Sequence, residues 1–220
     1  MKNYLIIGQG SQTIQLIREL FSLNIKPNQL SVITLRDVSN FSFLEFLKYY
    51  EIKTEITDKK KFDKVLTKVL KNKIDLVISF SNPFIIDKKH IKKDNIINFH
   101  PGLLPAYRGS FSTVHAMMNK EEKTGGTWHY VNEKVDQGDI IDTVEVKITP
   151  TSTAFSLNHE VFSLGIKDIS SVLDLINRKV EGIKQLPKEG KFYKNKFPDL
   201  SKIEDPDLKQ RINYFPPNFL

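Results

Sequence analysis

The stretch Asn98-Phe-His-Pro-Gly-Leu-Leu-Pro-Ala-Tyr-Arg-Gly109 leaves directly from an apolar run over residues 95–99, and the junction sets the architecture of the chain. The run predicts a buried strand. Pro101 and Pro105 fix φ twice in the loop that follows, while Gly102 permits a turn that other residues resist. Side chains along a strand repeat every two residues, so Asn98 and His100 face the same way. An amide donor then stands next to a group that takes or gives a proton near neutral pH. Acyl transfer needs that pairing, a donor for the developing oxyanion and a nearby acid or base. A histidine at a strand exit serves just as well as a structural hydrogen-bonding residue, and both readings stand at this point.

Upstream, short apolar runs alternate with helical spacings. Residues 4–8, 30–34, 54–56 and 74–80 predict strands. Between them residues 13–23, 41–50 and 61–70 predict helices, the last with Phe62, Val65, Leu66, Val69 and Leu70 on one side. This order predicts an α/β fold, a mostly parallel sheet with helices on both faces. Downstream, residues 112–118 predict a short helix, 127–131 and 140–148 two strands close in sequence, and 154–177 a long helix with Ser152 or Thr153 as N-cap. Beyond Gly182 the composition shifts towards Pro, Lys, Tyr and Phe. The expected organisation is a domain over residues 1–181 and a short extension, 182–220, with little regular structure, packed on the domain or on a partner subunit.

At 220 residues with 40% hydrophobic content the chain can bury a sizeable core. It has no cysteine, which removes disulfides, thiolate metal sites and cysteine nucleophiles. No run approaches the ~20 apolar residues of a membrane span, and the opening strand is broken too soon by Gly8 for a signal peptide. A soluble, cytoplasmic protein is expected. The net charge of +7 suits an anionic ligand or a solvated lysine-rich surface, and the lysine runs at 59–61, 88–89 and 92–93 lack the interleaved aromatics of a nucleic-acid groove.

Two further motifs carry chemistry. Gly8-Gln-Gly-Ser-Gln-Thr13 lies between the first strand and the first helix, where backbone N–H groups can hold a phosphate or simply form a tight turn. As a dinucleotide fingerprint it lacks the third glycine, replaced by Thr13, although Asp37 stands where a ribose-binding carboxylate would and Arg36 where a 2′-phosphate partner would. The second motif runs from Gly125 to Ile141, two strands around a turn that holds Asp136, Gln137, Gly138 and Asp139. An aspartate there is usually a turn former, but beside His100 it can orient the imidazole as the third group of a triad does. His115 and His159 fall on predicted helices and are read as structural; His129 is less telling than His100.

Together, Asn98-x-His100-Pro-x-Leu-Leu-Pro-x-Tyr-Arg-Gly109, Gly126-Thr-x-His129 and Val135-Asp136-x-Gly138-Asp-Ile-Ile141 resemble the folate-dependent formyltransferase family, over roughly residues 75–180. The resemblance implies a Rossmann-like domain with Asn98, His100 and Asp136 as catalytic residues. It implies 10-formyltetrahydrofolate as donor, a primary amine as acceptor and no metal. Folate would be held near Ser79, Phe80, Ser81, Asn82 and Phe84 and by Glu133 and Asp139, largely through backbone hydrogen bonds. Phe80 and Phe84 would wall the pteridine or belong to the core. Gly8, Gln9, Gly10, Ser11, Tyr107 and Arg108 would meet the substrate.

The choice of amine divides the family. Enzymes that formylate initiator methionyl-tRNA carry a further C-terminal domain, for which about 40 residues after the closing helix are too few; no nucleic-acid partner is expected. Enzymes acting on glycinamide ribonucleotide have a first loop much like residues 8–12, but with Asn where this chain has Gln12. The tail, with Gln185-Leu-Pro, Lys191-Phe-Tyr-Lys, Phe197-Pro-Asp and Arg211-Ile-Asn-Tyr-Phe-Pro-Pro, resembles the sugar-nucleotide N-formyltransferases of surface-polysaccharide synthesis. The preferred expectation is a homodimeric enzyme formylating a nucleotide-linked amino sugar such as dTDP-4-amino-4,6-dideoxyglucose, with glycinamide ribonucleotide as the alternative. A nicotinamide-dependent oxidoreductase or a nucleotide-binding module is a more distant alternative, resting on the first loop and Asp37.

Overall fold

The computed structural model describes residues 1–91, 95–186 and 189–213. Strands and helices alternate through the first half as β1 Tyr4–Gly8, α1 Gly10–Ser22, β2 Leu30–Leu35, α2 Phe41–Tyr49, β3 Lys53–Thr57, α3 Phe62–Val69, β4 Leu76–Phe80 and β5 Ile96–His100. The second half continues with β6 Tyr107–Gly109, α4 Ser112–Met118, β7 Lys123–Tyr130, β8 Ile140–Lys147, α5 Ala154–Asn177, β9 Lys191–Tyr193 and α6 Pro206–Asn213. The central sheet is mostly parallel, with strand order β3-β2-β1-β4-β5-β7-β8, as the α/β reading expects. Two compact units share the chain, Met1–Phe99 with Tyr130–Glu133, and His100–His129 with Lys134 onwards.

In the first unit β1 runs parallel to β2 and β4, and β2 to β3. Every residue of β1 and β4 is buried, so both faces of these strands are covered, as a parallel sheet requires. One core gathers Leu5, Ile7, Ile33, Val77 and Ile96 from the strands against Phe62, Leu66 and Val69 of α3. Each such side chain contributes about 1.5–3 kcal/mol by leaving water. Helix α1 starts at Gly10, three residues earlier than its apolar spacing predicts. Gly10 sits at φ +73° and donates its N–H to Asn40 Oδ1 at 3.1 Å, which ties the turn to the start of α2.

In the second unit β7 and β8 are antiparallel, with a register shift between Trp128 and His129. Helix α5 packs along β8, and buried Trp128 donates from Nε1 to the carbonyl of Gly165 in that helix at 3.0 Å. Thr153 caps α5 in a reciprocal pair with Ser156, which settles the choice between the two N-cap candidates. The extension carries more regular structure than its composition predicts. Ile183 exchanges two backbone hydrogen bonds with Ile140, β9 pairs in parallel with β6, and α6 closes the described residues. These pairings supply the backbone partners that a Pro- and Lys-rich segment cannot find within itself. The motif residues beyond Asn213, and the lysine run at 92–93, lie outside the described residues.

Candidate active site

Strand β5 ends on His100, which is buried in the second unit. Its Nε2 lies 2.6 Å from the carbonyl oxygen of Tyr107. A carbonyl only accepts, so Nε2 carries the hydrogen and Nδ1 is the nitrogen at which a proton can come and go. Nδ1 stands 3.5 Å from Asp136 Oδ2. Gly102 lets the loop pass this close, for a Cβ there would lie 2.7 Å from Nε2 and 2.6 Å from Ser112 Oγ.

Asp136 sits in the left-handed region at φ +56°, a conformation aspartate tolerates better than most residues. Its Oδ2 also accepts from the Gly109 N–H at 2.8 Å, and its Oδ1 is 3.7 Å from Nε2 of His129. The carboxylate, 10% exposed, thus lies between two imidazoles that are 4% and 3% exposed. His129, set aside in the sequence, belongs to this group. Its signal was the spacing of two from Thr127, another fully buried polar residue of β7.

In the first unit Asn98 is half-buried on β5, in register with Ser79 of β4. Ser79 Oγ donates to Asn98 Oδ1 at 2.6 Å, and Asn82 Nδ2 donates to Ser79 Oγ at 3.0 Å. With its acceptor end held by Ser79, the Asn98 amide turns its NH2 end the other way. Asn82 Oδ1 accepts from the Phe84 N–H at 2.8 Å and fixes the turn after β4, where Ser81 has φ +50°. Phe84 stacks on Phe62 with centroids 4.2 Å apart and Phe80 is fully buried against Phe99, so both rings belong to the core. Apart from these rings the segment from Ser79 to Phe84 offers its backbone and the side chains of Ser79, Ser81 and Asn82. Glu133 is exposed, and Asp139 is half-buried beside Gly182.

Of the expected substrate groups Tyr107 and Arg108 turn inward, while Ser11 is exposed. Tyr107 donates from its hydroxyl to Glu121 at 2.6 Å and accepts from Asn119 at 2.8 Å, with burial and then Glu121 pushing its pKa up to about 12. Arg108 is buried and donates from Nε and Nη2 to Gln185 Oε1 at 3.2 and 3.1 Å. Asp37 caps its own turn, accepting from the N–H and hydroxyl of Ser39, which lowers its pKa. His115 stacks on Tyr193 at 3.7 Å and has its pKa lowered by burial, then by Lys191. Among the described residues no group of three or more His, Cys, Asp or Glu side chains is placed to hold a metal ion.

The profile of the formyl transferase family matches residues 3–173, most of the chain. The chain belongs to that family. The chain is 30% identical over 152 residues to the GDP-perosamine N-formyltransferase of Brucella melitensis, a match covering 65% of the chain and 58% of the relative. To the methionyl-tRNA formyltransferase of a Geobacillus species it is 35% identical over 135 residues, covering 60% of the chain and 41% of the relative. In these matches the chain spans less than two thirds of the length of either relative. Its fold is that of the sugar 3N-formyltransferase WlaRD, solved in the presence of dTDP and 5-N-formyl-THF. The TM-score is 0.75 at 22% identity, over 91% of this chain and 72% of that one.

Proposed function

We propose that the protein transfers the formyl group of 10-formyltetrahydrofolate to the primary amine of a nucleotide-linked amino sugar. The observation that carries the chemistry is the buried His100, with Nε2 fixed on a carbonyl and Nδ1 turned to Asp136. In this reading the neutral amine attacks the formyl carbon and the carbonyl electrons move to oxygen. The Asn98 NH2 group donates to that oxygen. The amine gives up a proton to His100 Nδ1, with Asp136 beside it to stabilise the charge. Collapse of the tetrahedral species breaks the bond to N10 of the folate, which takes up a proton and leaves as tetrahydrofolate. Folate would rest on the backbone of the turn after β4.

Two observations favour the sugar over glycinamide ribonucleotide. The Gly10 N–H, one of the first-loop donors that a phosphate would use, already bonds to Asn40. The tail that resembles the sugar enzymes is paired through β9 to β6, in the loop that follows His100. The relative from Brucella melitensis, named for GDP-perosamine, and WlaRD, solved with dTDP, point the same way. On this reading residues 1–181 carry the chemistry and 182–220 complete the substrate side. The choice of dTDP-4-amino-4,6-dideoxyglucose is the finest grain of the proposal.

The test is a formyl-transfer assay with 10-formyltetrahydrofolate against dTDP- and GDP-linked 3-amino and 4-amino dideoxy sugars, UDP-amino sugars, glycinamide ribonucleotide and methionyl-tRNA. Turnover of a nucleotide sugar is expected. Turnover of glycinamide ribonucleotide or methionyl-tRNA alone would replace the acceptor, and no transfer to any amine would remove the reaction.

A further inference from the structure

Gln185 stands outside every motif that chemistry singled out, in the extension after α5. Its Oε1 accepts from both Nε and Nη2 of Arg108, a group that only donates, so the amide orientation is fixed. Its Nε2 then faces two carbonyls, donating to Asp136 at 3.1 Å and to Gly138 at 2.7 Å. One half-buried side chain thereby spans the backbone on both sides of Gln137, in the turn that aims the Asp136 carboxylate.

The same turn is held from a second direction. Asp136 Oδ2 accepts from Gly109 N–H, and Gly109 is the last residue of β6, which β9 pairs in parallel. A Cβ on Gly109 would collide with the Tyr193 carbonyl and one on Gly190 with the Pro105 carbonyl, so extension and loop are in backbone contact. Asp136 sits at φ +56°, a backbone conformation that costs a side-chain-bearing residue energy. Such a conformation persists only where its surroundings over-determine it.

We propose that Gln185 is a positioning residue for formyl transfer, holding the Asp136 turn by its two amide hydrogens so that Oδ2 stays on His100 Nδ1. The inference rests on the formyl-transfer reading, and its test includes a measurement that needs no turnover. Gln185→Met keeps the length of the side chain and removes both hydrogen-bonding ends. Gln185→Glu keeps an acceptor for Arg108, with a charge that suits it, but loses the donor to the two carbonyls. If the donor is what matters, both variants lower kcat on the order of 10–100-fold, with KM for folate and for the amino sugar within about twofold of wild type. Amide exchange of Gly109, whose N–H is bonded to Asp136, rises about tenfold or more in both as the turn loosens. Wild-type kcat in Gln185→Glu would show that only the charge of Arg108 needs satisfying, and would overturn the proposal. So would unchanged exchange at Gly109 in Gln185→Met. If the wild-type enzyme formylates no amine, the reaction has failed, while the exchange measurement still decides whether Gln185 holds the turn.

Discussion

At Asp136 one oxygen serves a buried imidazole and a backbone N–H, while the other faces a second imidazole. Removing what it orients should show in rate before it shows in fold. His100→Ala, which removes the proton acceptor, and Asn98→Ala, which removes an oxyanion donor, are each expected to lower kcat on the order of 10²–10³, with far-UV circular dichroism unchanged. Turnover within a factor of two of wild type in either purified variant would break the assignment. The residue types of this pair were legible because the pleat puts Asn98 and His100 on one side of one strand. Ser79, which orients the Asn98 amide, was read only as a folate contact. Its bond to Asn98 spans two strands that meet only once the sheet has formed. Gln185 was hidden for the same reason, being remote in sequence from Asp136 and Arg108.

Among the elements, α5 and β8 share a buried conflict. Asp168 of α5 has a buried Oδ2 without a hydrogen-bond partner, and burial followed by the nearby Asp142 of β8 pushes its pKa up to about 6. Asp142 accepts instead from Ser171 Oγ and the Thr143 N–H. A carboxyl whose folded pKa is raised binds more protons folded than unfolded between about pH 4 and 6, so stability falls as pH rises through that window. Asp168→Asn keeps the shape and removes the charge. Its Tm is expected roughly 2–4 °C above wild type at pH 8 and level with it at about pH 3, below the unfolded pKa. An equal shift at both pH values would mean that ionisation is not the cause.

Strands β1, β2 and β4 and helices α2 to α5 fell close to the positions their apolar periods predict, because each buries a continuous face of its own. Strand β7 begins at Lys123, ahead of its expected start, because Gly125 and Gly126 pair with β8 without side chains to advertise it. A Cβ on Gly125 would meet the Val144 carbonyl, so the absence of a side chain is itself the packing feature. Helix α6 shows only Leu208 and Ile212 as buried apolar residues, too few to raise a period above the charges around them.

Over the whole molecule the net charge is +7, opposite in sign to the nucleotide sugar proposed as substrate. A field of that sign raises encounter rates and is screened within about 8–10 Å at physiological salt. Raising ionic strength from about 20 to 300 mM is therefore expected to lower kcat/KM for the nucleotide sugar several-fold while kcat holds. A flat profile would place the lysines on surfaces that do not steer. The parallel sheet was legible at this scale, since strand–helix alternation admits few other arrangements. The short parallel pair β6–β9 was not, because three-residue strands leave no period to read.

That pair orders the birth of the protein. Tyr107 meets Lys191 and Gly109 meets Tyr193, so the loop after His100 cannot gain its partner until the segment 191–193 has left the ribosome. Chains are folded from their N-terminal side as they are made, and here the sheet can assemble around a loop that stays unfinished. A chain cut short before Lys191 would then keep its sheet and lose the strand that braces Gly109.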